Sequence, residues 1–373
     1  MVFASLLNGY PRIGDRPDEQ ALRRAIARAD RGEAAPREVE AAEDAMTRLA
    51  IAEQASAGLD IVTDGQIRWH DPVSHMARGL SGFATGGLLR YLDTNTYYRQ
   101  PEARGPITRE NPNLVASCLF ASAAAAPRPV KVIVTGPLTM ARLARDRRGL
   151  GVRALAYEIA AALNSELRDL AAAGAAFIQI DEPAIARFPG DLPILREAIP
   201  RLTEGLSGKG AVPDGTAPGG APDAPGGPRT ILATSFGDAT PILPGLARLP
   251  VSIIGLDLLA ARGAERGPAG ARARGPLRAR PRGGLRALAA GLERLPRDRG
   301  LLLGIVDGRN TRLEDPGETF ERLVRPLLPA LGGGGREIHL APNHSLEFLP
   351  RETAHAKLSI LAAVRDRARE ALA

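Results

Sequence analysis

Eight short apolar runs of strand length recur along the chain, with helical stretches between them. They are ASLLNGY (4–10), LDIVTD (59–64), VKVIVTG (130–136), FIQID (177–181), TILATSF (230–236), VSIIGLD (251–257), LLLGIVD (301–307) and EIHLAP (337–342). Continuous apolar runs, without strict polar alternation, suit strands buried on both faces of a parallel sheet. Residues 18–31, 36–57, about 152–173 and 351 onward are charged, Ala-rich and helical in pattern. Pro36 suits a helix start, and Gly58 and Gly174 suit helix ends. This alternation predicts an α/β fold of the (β/α)8 TIM-barrel type, with residues 1–373 forming one domain.

Three stretches interrupt the pattern. Residues 67–128 follow the second run and carry Trp69, Phe83, Tyr91, Tyr97 and Tyr98. An excursion that long on a compact fold is usually a lid or a substrate-binding loop. Residues 207–228 contain seven Gly and five Pro and are expected to be a flexible surface insert. Residues 260–299 hold eleven Arg against three acids, a net of +8, and are expected to be a second flexible insert. The chain as a whole carries +7, so everything outside that insert sums to 7 − 8 = −1. The basicity is local and lacks interleaved aromatics for stacking bases, which argues against a nucleic-acid partner.

The opening MVFASLLNGYPRIG has no basic segment followed by a long apolar core, so no signal peptide is read there. No apolar run reaches the roughly 20 residues that span a bilayer. Cys118 is the single cysteine, which excludes an intrachain disulfide and a multi-cysteine zinc site. A cytoplasmic enzyme acting on a small molecule fits these features.

FIQIDEPAI (177–185) is where chemistry is expected. Asp181 and Glu182 end an apolar run, and Pro183 cannot continue a ladder. In isolation the pair reads as an acidic turn. In a parallel barrel, however, strand ends open on one face, and that face carries the active site. Other runs also end in polar groups: Asn8 and Tyr10, Asp64 and Gln66, Thr135, Ser235 and Asp238, Asp257, Asp307 and Asn310, Asn343 and His344. Convergence of that many polar ends on one rim calls for a polar ligand.

With these segments placed, the chain resembles the cobalamin-independent methionine synthase family, as a single-barrel relative. The resemblance rests on NGYPRIG (8–14), AGLDIVTDGQIRWHD (57–71), VKVIVTGPLTM (130–140), AAGAAFIQIDEPA (172–184), GIVDGRN (304–310) and APNHSLEFLP (341–350). It implies methyl transfer from a folate-type donor to homocysteine, with Asp181 gripping the substrate ammonium. Gln66 stands where the family's catalytic barrel has a Glu, so it brings a carbonyl acceptor without charge. Asn8, Tyr10, Glu182 and Asn310 are further expected substrate contacts. Trp69 either stacks on a pterin or packs in the core. His70 or Asp71 is expected to act as a general acid toward the donor nitrogen. Arg309 is expected to pair with a carboxylate.

The resemblance also implies a zinc site, a His-x-Cys pair after strand five, a Glu after strand six and a Cys after strand eight. Here those positions read Ala233-Thr234-Ser235, Asp257 and His344. Asp257 and His344 remain candidate ligands of an oxygen- and nitrogen-rich site. PRIG, GRN and APNHSL are nearer the family's amino-terminal barrel. Two alternatives therefore stay open: an accessory barrel serving a second catalytic chain, and a metal-independent transferase or lyase.

Overall fold

The computed structural model describes residues 1–92, 94, 96–206, 227–263, 284–331 and 335–373. Its strands are β1 (Val2–Ala4), β2 (Leu80–Arg90), β3 (Tyr97–Arg109), β4 (Lys131–Thr135), β5 (Arg145–Asp146), β6 (Phe177–Asp181), β7 (Arg229–Ala233), β8 (Ile253–Asp257), β9 (Gly300–Val306) and β10 (Ile338–Pro342). Seven of them form one parallel sheet in the order β1-β10-β9-β8-β7-β6-β4. Two parallel bridges, Ser5 to Ile61 and Val62 to Val130, close that sheet into a ring of eight.

The expected strand 59–64 is thus reduced to two paired residues, one bonding to each neighbour. Its next residue leaves the ladder because a side chain takes over. The Gln54 amide accepts from the Thr63 N–H at 2.9 Å and donates to the Thr63 carbonyl at 2.9 Å. Both of Thr63's backbone groups are satisfied by a helix rather than by a strand.

Alternate residues of each strand face opposite sides. The inward set includes Phe3, Leu7, Ile61, Phe177, Ile231, Ile253, Leu302 and Ala341. The outward set, such as Val132, Val134, Ile178, Ile180, Leu232 and Leu303, packs on the surrounding helices. The barrel interior also holds polar groups with no solvent exposure: Lys131, Gln179 and His339. His339 Nε2 lies 2.6 Å from Glu337 Oε1, and Glu337 pairs with Arg229.

The expected helices form as Ala21–Asp30, Pro36–Ser56, Gly151–Ala172 and Arg351–Leu372. The 67–128 excursion builds a helix at Pro72–Ala77, the antiparallel β2–β3 hairpin and a helix at Val115–Ala125. β5 adds to the hairpin's edge. The hairpin register shifts between Ser81 and Phe83. Gly82 has φ +83 there, and a Cβ would overlap the Pro106 carbonyl, so no other residue fits.

The second expected insert needs correction. The helix Leu258–Gly263 runs into the 260–299 span and the helix Gly284–Glu293 lies inside it, with Leu288 and Leu292 buried in the main core. Leu285, Leu288, Ala289 and Leu292 carry a helical period that the surrounding Arg, Gly and Pro obscure. Residues 264–283 of that insert, and 207–226 of the first, lie outside the described residues. Among the described residues, no helix is long and apolar enough to cross a membrane.

Candidate active site

Parallel pairing in register brings the strand ends to one rim, where Thr135 lies beside Asp181 and Asp181 beside Ala233. Asp181 is held from two sides. Gln179, two residues back on the same face, donates to Oδ1 at 2.7 Å and to the Leu7 carbonyl at 2.9 Å. Asn8, on the loop after β1, donates to Oδ2 at 3.2 Å. Burial pushes the Asp181 carboxyl up to about 6, while the two amides and the Lys131 ammonium act against that rise. Lys131 is enclosed in the barrel beneath, donating to the Leu6 carbonyl at 2.6 Å. Burial pulls its pKa down, and the nearby Asp181 opposes.

Glu182, one residue on, points the other way and does not line the cleft described below. It has no solvent exposure. Its carboxylate accepts from the N–H groups of Leu138 at 2.9 Å and Thr139 at 2.8 Å, and from the Thr139 hydroxyl at 2.6 Å. It therefore caps the start of the helix Pro137–Leu143, a favourable place for an anion. Gly136 makes room for it, since a Cβ there would overlap the Glu182 carboxyl group.

A narrow cleft that opens to solvent lies over the rim. It brings together Asn8, Gln66, His70, Asp71, Asp181, Ser235 and His344. Two polar atoms buried in it, Asn8 Oδ1 and His344 Nε2, have no partner among the described residues. Such atoms are rare in folded proteins and mark a place for a ligand or water. Gln66 (φ 53) and Phe236 (φ 64) both adopt left-handed backbone here, although neither is glycine. Strain of that kind concentrates at functional sites. His344 stacks edge-on to Phe236 at 4.1 Å, and burial brings its pKa down to about 4, so its imidazole is neutral at neutral pH.

Lining residues not singled out as site candidates in the sequence include Tyr91, Phe236, Glu347 and Phe348. Tyr91 meets Phe236 edge-on at 5.8 Å. Burial pushes the Glu347 carboxyl up to about 7. Leu346-Glu347-Phe348 follows the His344 motif closely enough that a search past each strand end would have found it. Tyr91 arrives from the hairpin, inside the excursion expected to be a lid or substrate-binding loop, but nothing local sets it apart from the other aromatics there.

Several expected contacts lie elsewhere. Tyr10 is fully buried, with the Arg351 guanidinium 5.3 Å from its ring. Trp69 is 5% exposed and stacks on His75 at 4.4 Å, so core packing, not pterin stacking, accounts for it. Arg309 and Asn310 stand exposed in the turn after β9, where Asp307 accepts from the Arg309 N–H at 2.9 Å and the Asn310 amide at 2.6 Å. Asp71 does line the cleft, but it caps the helix Pro72–Ala77, accepting from Val73 at 2.9 Å and Ser74 at 2.7 Å.

The donor set does not fit a thiol-activating zinc. Among the described residues no three His, Cys, Asp or Glu side chains converge to hold a metal. Asp257 accepts from the Leu259 and Ala260 N–H groups at 3.0 and 2.9 Å and from the Asn343 amide at 3.2 Å. Thr234 donates its hydroxyl to the Gly255 carbonyl, and Cys118 is buried among core side chains. No soft ligand reaches the rim.

A second, wider cleft lies between the helix Pro72–Ala77 and the hairpin, and shares His70, Asp71 and Tyr97 with the first. Its walls include Phe83 and Leu88, with Arg78 and Arg99. Neither arginine forms an ion pair among the described residues.

The fold and the site define a (β/α)8-barrel with a polar ligand cleft at the carboxyl ends of its strands. The family described as "Cobalamin-independent synthase, Catalytic domain" matches residues 11–197, and the chain belongs to it. A methionine synthase of Sulfurisphaera tokodaii is 26% identical over 349 residues, 93% of this chain and 88% of that protein. A 5-methyltetrahydropteroyltriglutamate–homocysteine methyltransferase of Ralstonia pickettii is 29% identical over 382 residues, 94% of this chain and 43% of that protein. Among solved structures, a B12-independent methionine synthase from Shewanella sp. W3-18-1 in complex with selenomethionine superimposes with TM-score 0.72 at 20% identity, covering 99% and 98% of the two chains. That likeness confirms the barrel.

Proposed function

We propose that the chain is a methyltransferase that moves a methyl group from a folate-type donor to the sulfur of a small amino-acid thiol such as homocysteine. Residues 1–373 act as one catalytic unit in the cytoplasm. Family membership supports the reaction class. The observation that carries the reading is Asp181, fixed by Asn8 and Gln179 at the mouth beside the unpartnered Asn8 Oδ1. A buried, oriented carboxylate with a spare acceptor beside it suits an α-ammonium group. The charge of the ligand would hold Asp181 ionised against the burial that raises its pKa.

The wider cleft suits the donor. Phe83, Leu88 and Tyr97 offer apolar and aromatic surface to a flat ring, and Arg78 and Arg99 offer charge to its carboxylates. His70 lies where the two clefts join. In the transfer, a sulfur–carbon bond forms as the donor's nitrogen–carbon bond breaks. The thiol proton is lost and the donor nitrogen gains one. His70 is placed to deliver that proton, with Asp71 committed to its helix. Burial and the Arg12 and Arg78 charges lower the His70 pKa, so delivery favours acid pH.

An accessory barrel serving a separate catalytic chain is the second reading, favoured by the misfit of the donor set to zinc. Methionine formation by the purified chain alone, from methyl-tetrahydrofolate and homocysteine, decides between them. Turnover abolished by Asp181→Asn supports the enzyme. No turnover alone, restored by a partner chain, supports the accessory role.

A further inference from the structure

Three carboxylates line the cleft at the mouth of the barrel among the described residues, those of Asp71, Asp181 and Glu347. Two are engaged. Asp71 accepts from the backbone of Val73 and Ser74 and from the Ser74 hydroxyl. Asp181 accepts from Gln179 and Asn8. Glu347 differs. Its backbone N–H donates to Ser345 Oγ at 3.2 Å and so fixes the loop. Among the described residues its carboxylate accepts no hydrogen bond and forms no ion pair. The Arg12 guanidinium favours its charge from a distance, but donates instead to the Trp69 carbonyl at 2.7 Å.

Its place in the ring is informative. Counting the paired segment 61–62 as one member, β6 and β10 stand four members apart in either direction. Asp181 ends β6, and Glu347 lies on the loop after β10, so the two acids enter the cleft from opposite sides of the mouth. Glu347 is also brought against the loop that carries Asn8, since a Cβ on Gly9 would lie 3.2 Å from Glu347 Oε2. Among the described residues the uncommitted groups of the cleft thus include Glu347, the remaining lone pairs of Asp181, Asn8 Oδ1, the Gln66 carbonyl and His344 Nε2, of which only the two carboxylates can carry negative charge. An ammonium presents three N–H donors. Meanwhile Gln66, whose side chain also lines the cleft, is neutral.

We propose that Glu347 is a specificity-determining residue for the methyl acceptor, binding its α-ammonium across the barrel mouth from Asp181 and supplying the charge that Gln66 lacks. The ligand class is an α-amino acid with a free amino group. This inference rests on the acceptor reading above.

Calorimetric titration tests it with two probes, L-methionine and 4-(methylthio)butanoate, the same chain without its amino group. The native protein is expected to prefer methionine. Glu347→Gln is expected to weaken methionine binding tenfold or more while leaving the butanoate unchanged, which also reports an intact cleft. Adding Gln66→Glu to that variant returns a carboxylate to the mouth and is expected to recover most of the loss. Methionine binding by Glu347→Gln within twofold of native overturns the proposal. A native protein that binds neither probe contradicts the acceptor reading itself, and this inference falls with it.

Discussion

Asp181 and Glu182 are chemically alike and adjacent, yet the chain uses them in opposite ways. Asp181 faces the cleft with two amide partners, and Glu182 faces the helix with three donors. Asp181→Asn is therefore expected to lower amino-acid affinity tenfold or more with little change in melting temperature. Glu182→Ala leaves three buried donors unsatisfied and is expected to cost about 2–4 kcal/mol, read by chemical denaturation. Glu347 makes a pH-dependent prediction. Its folded pKa is raised from 4.5 to about 7, chiefly by burial, so the folded state holds its proton more tightly than the unfolded state. Its contribution to stability is intact below about 4.5 and is lost as pH rises toward 7. At 1.36 kcal/mol per pKa unit the ceiling is about 3 kcal/mol, and the open cleft reduces that to about 1–2. Glu347→Gln is thus expected to be more stable than native at pH 8 and equal to it at pH 4. Equal melting temperatures at both would count against a buried, charged Glu347. Sequence pattern located Asp181 because it ends a strand. It could not tell Asp181 from Glu182, since the choice depends on a helix start some forty residues earlier. It misplaced Tyr10, and left Trp69 undecided between pterin and core, for a related reason, because burial is a tertiary property.

At the scale of elements, the eight apolar runs were legible because buried parallel strands are continuously apolar. The second strand was overestimated because Gln54, a helix residue, satisfies Thr63 in place of a neighbour. The helix Gly284–Glu293 was hidden by the composition around it, although its leucines keep the helical period. The hairpin β2–β3 was legible only as a long aromatic excursion. It brings Tyr91 to one cleft, Phe83 to the other and Tyr97 to both. Gly82→Ala tests its role, because the residue has φ +83 and faces the Pro106 carbonyl. A cost of about 2 kcal/mol or more is expected. In steady-state kinetics the KM for the donor should rise several-fold while the KM for the acceptor stays within twofold. A rise confined to the acceptor would assign the hairpin to the other substrate.

At the scale of the molecule, the barrel gathers a carboxylate and amides from β6 and β1, a neutral amide after the second member, aromatics from β7 and the hairpin, and Glu347 from β10. The family match ends at residue 197, before β7. The rim positions expected to hold zinc all lie beyond that point. Asp257 is engaged in capping, and among the described residues no group of three metal-binding side chains forms around the unpartnered His344 Nε2, so dialysis against a chelator is expected to leave methionine binding unchanged. A loss restored by zinc would mean that the chain assembles a metal site from residues other than Asp257 and His344. The most direct measurement of the account is methionine formation by the purified chain, given methyl-tetrahydrofolate and homocysteine, for native and Asp181→Asn proteins side by side. The account predicts methionine from the native protein and at least a tenfold loss in the variant. No methionine from the native protein, with amino-acid binding identical in the two, would contradict it.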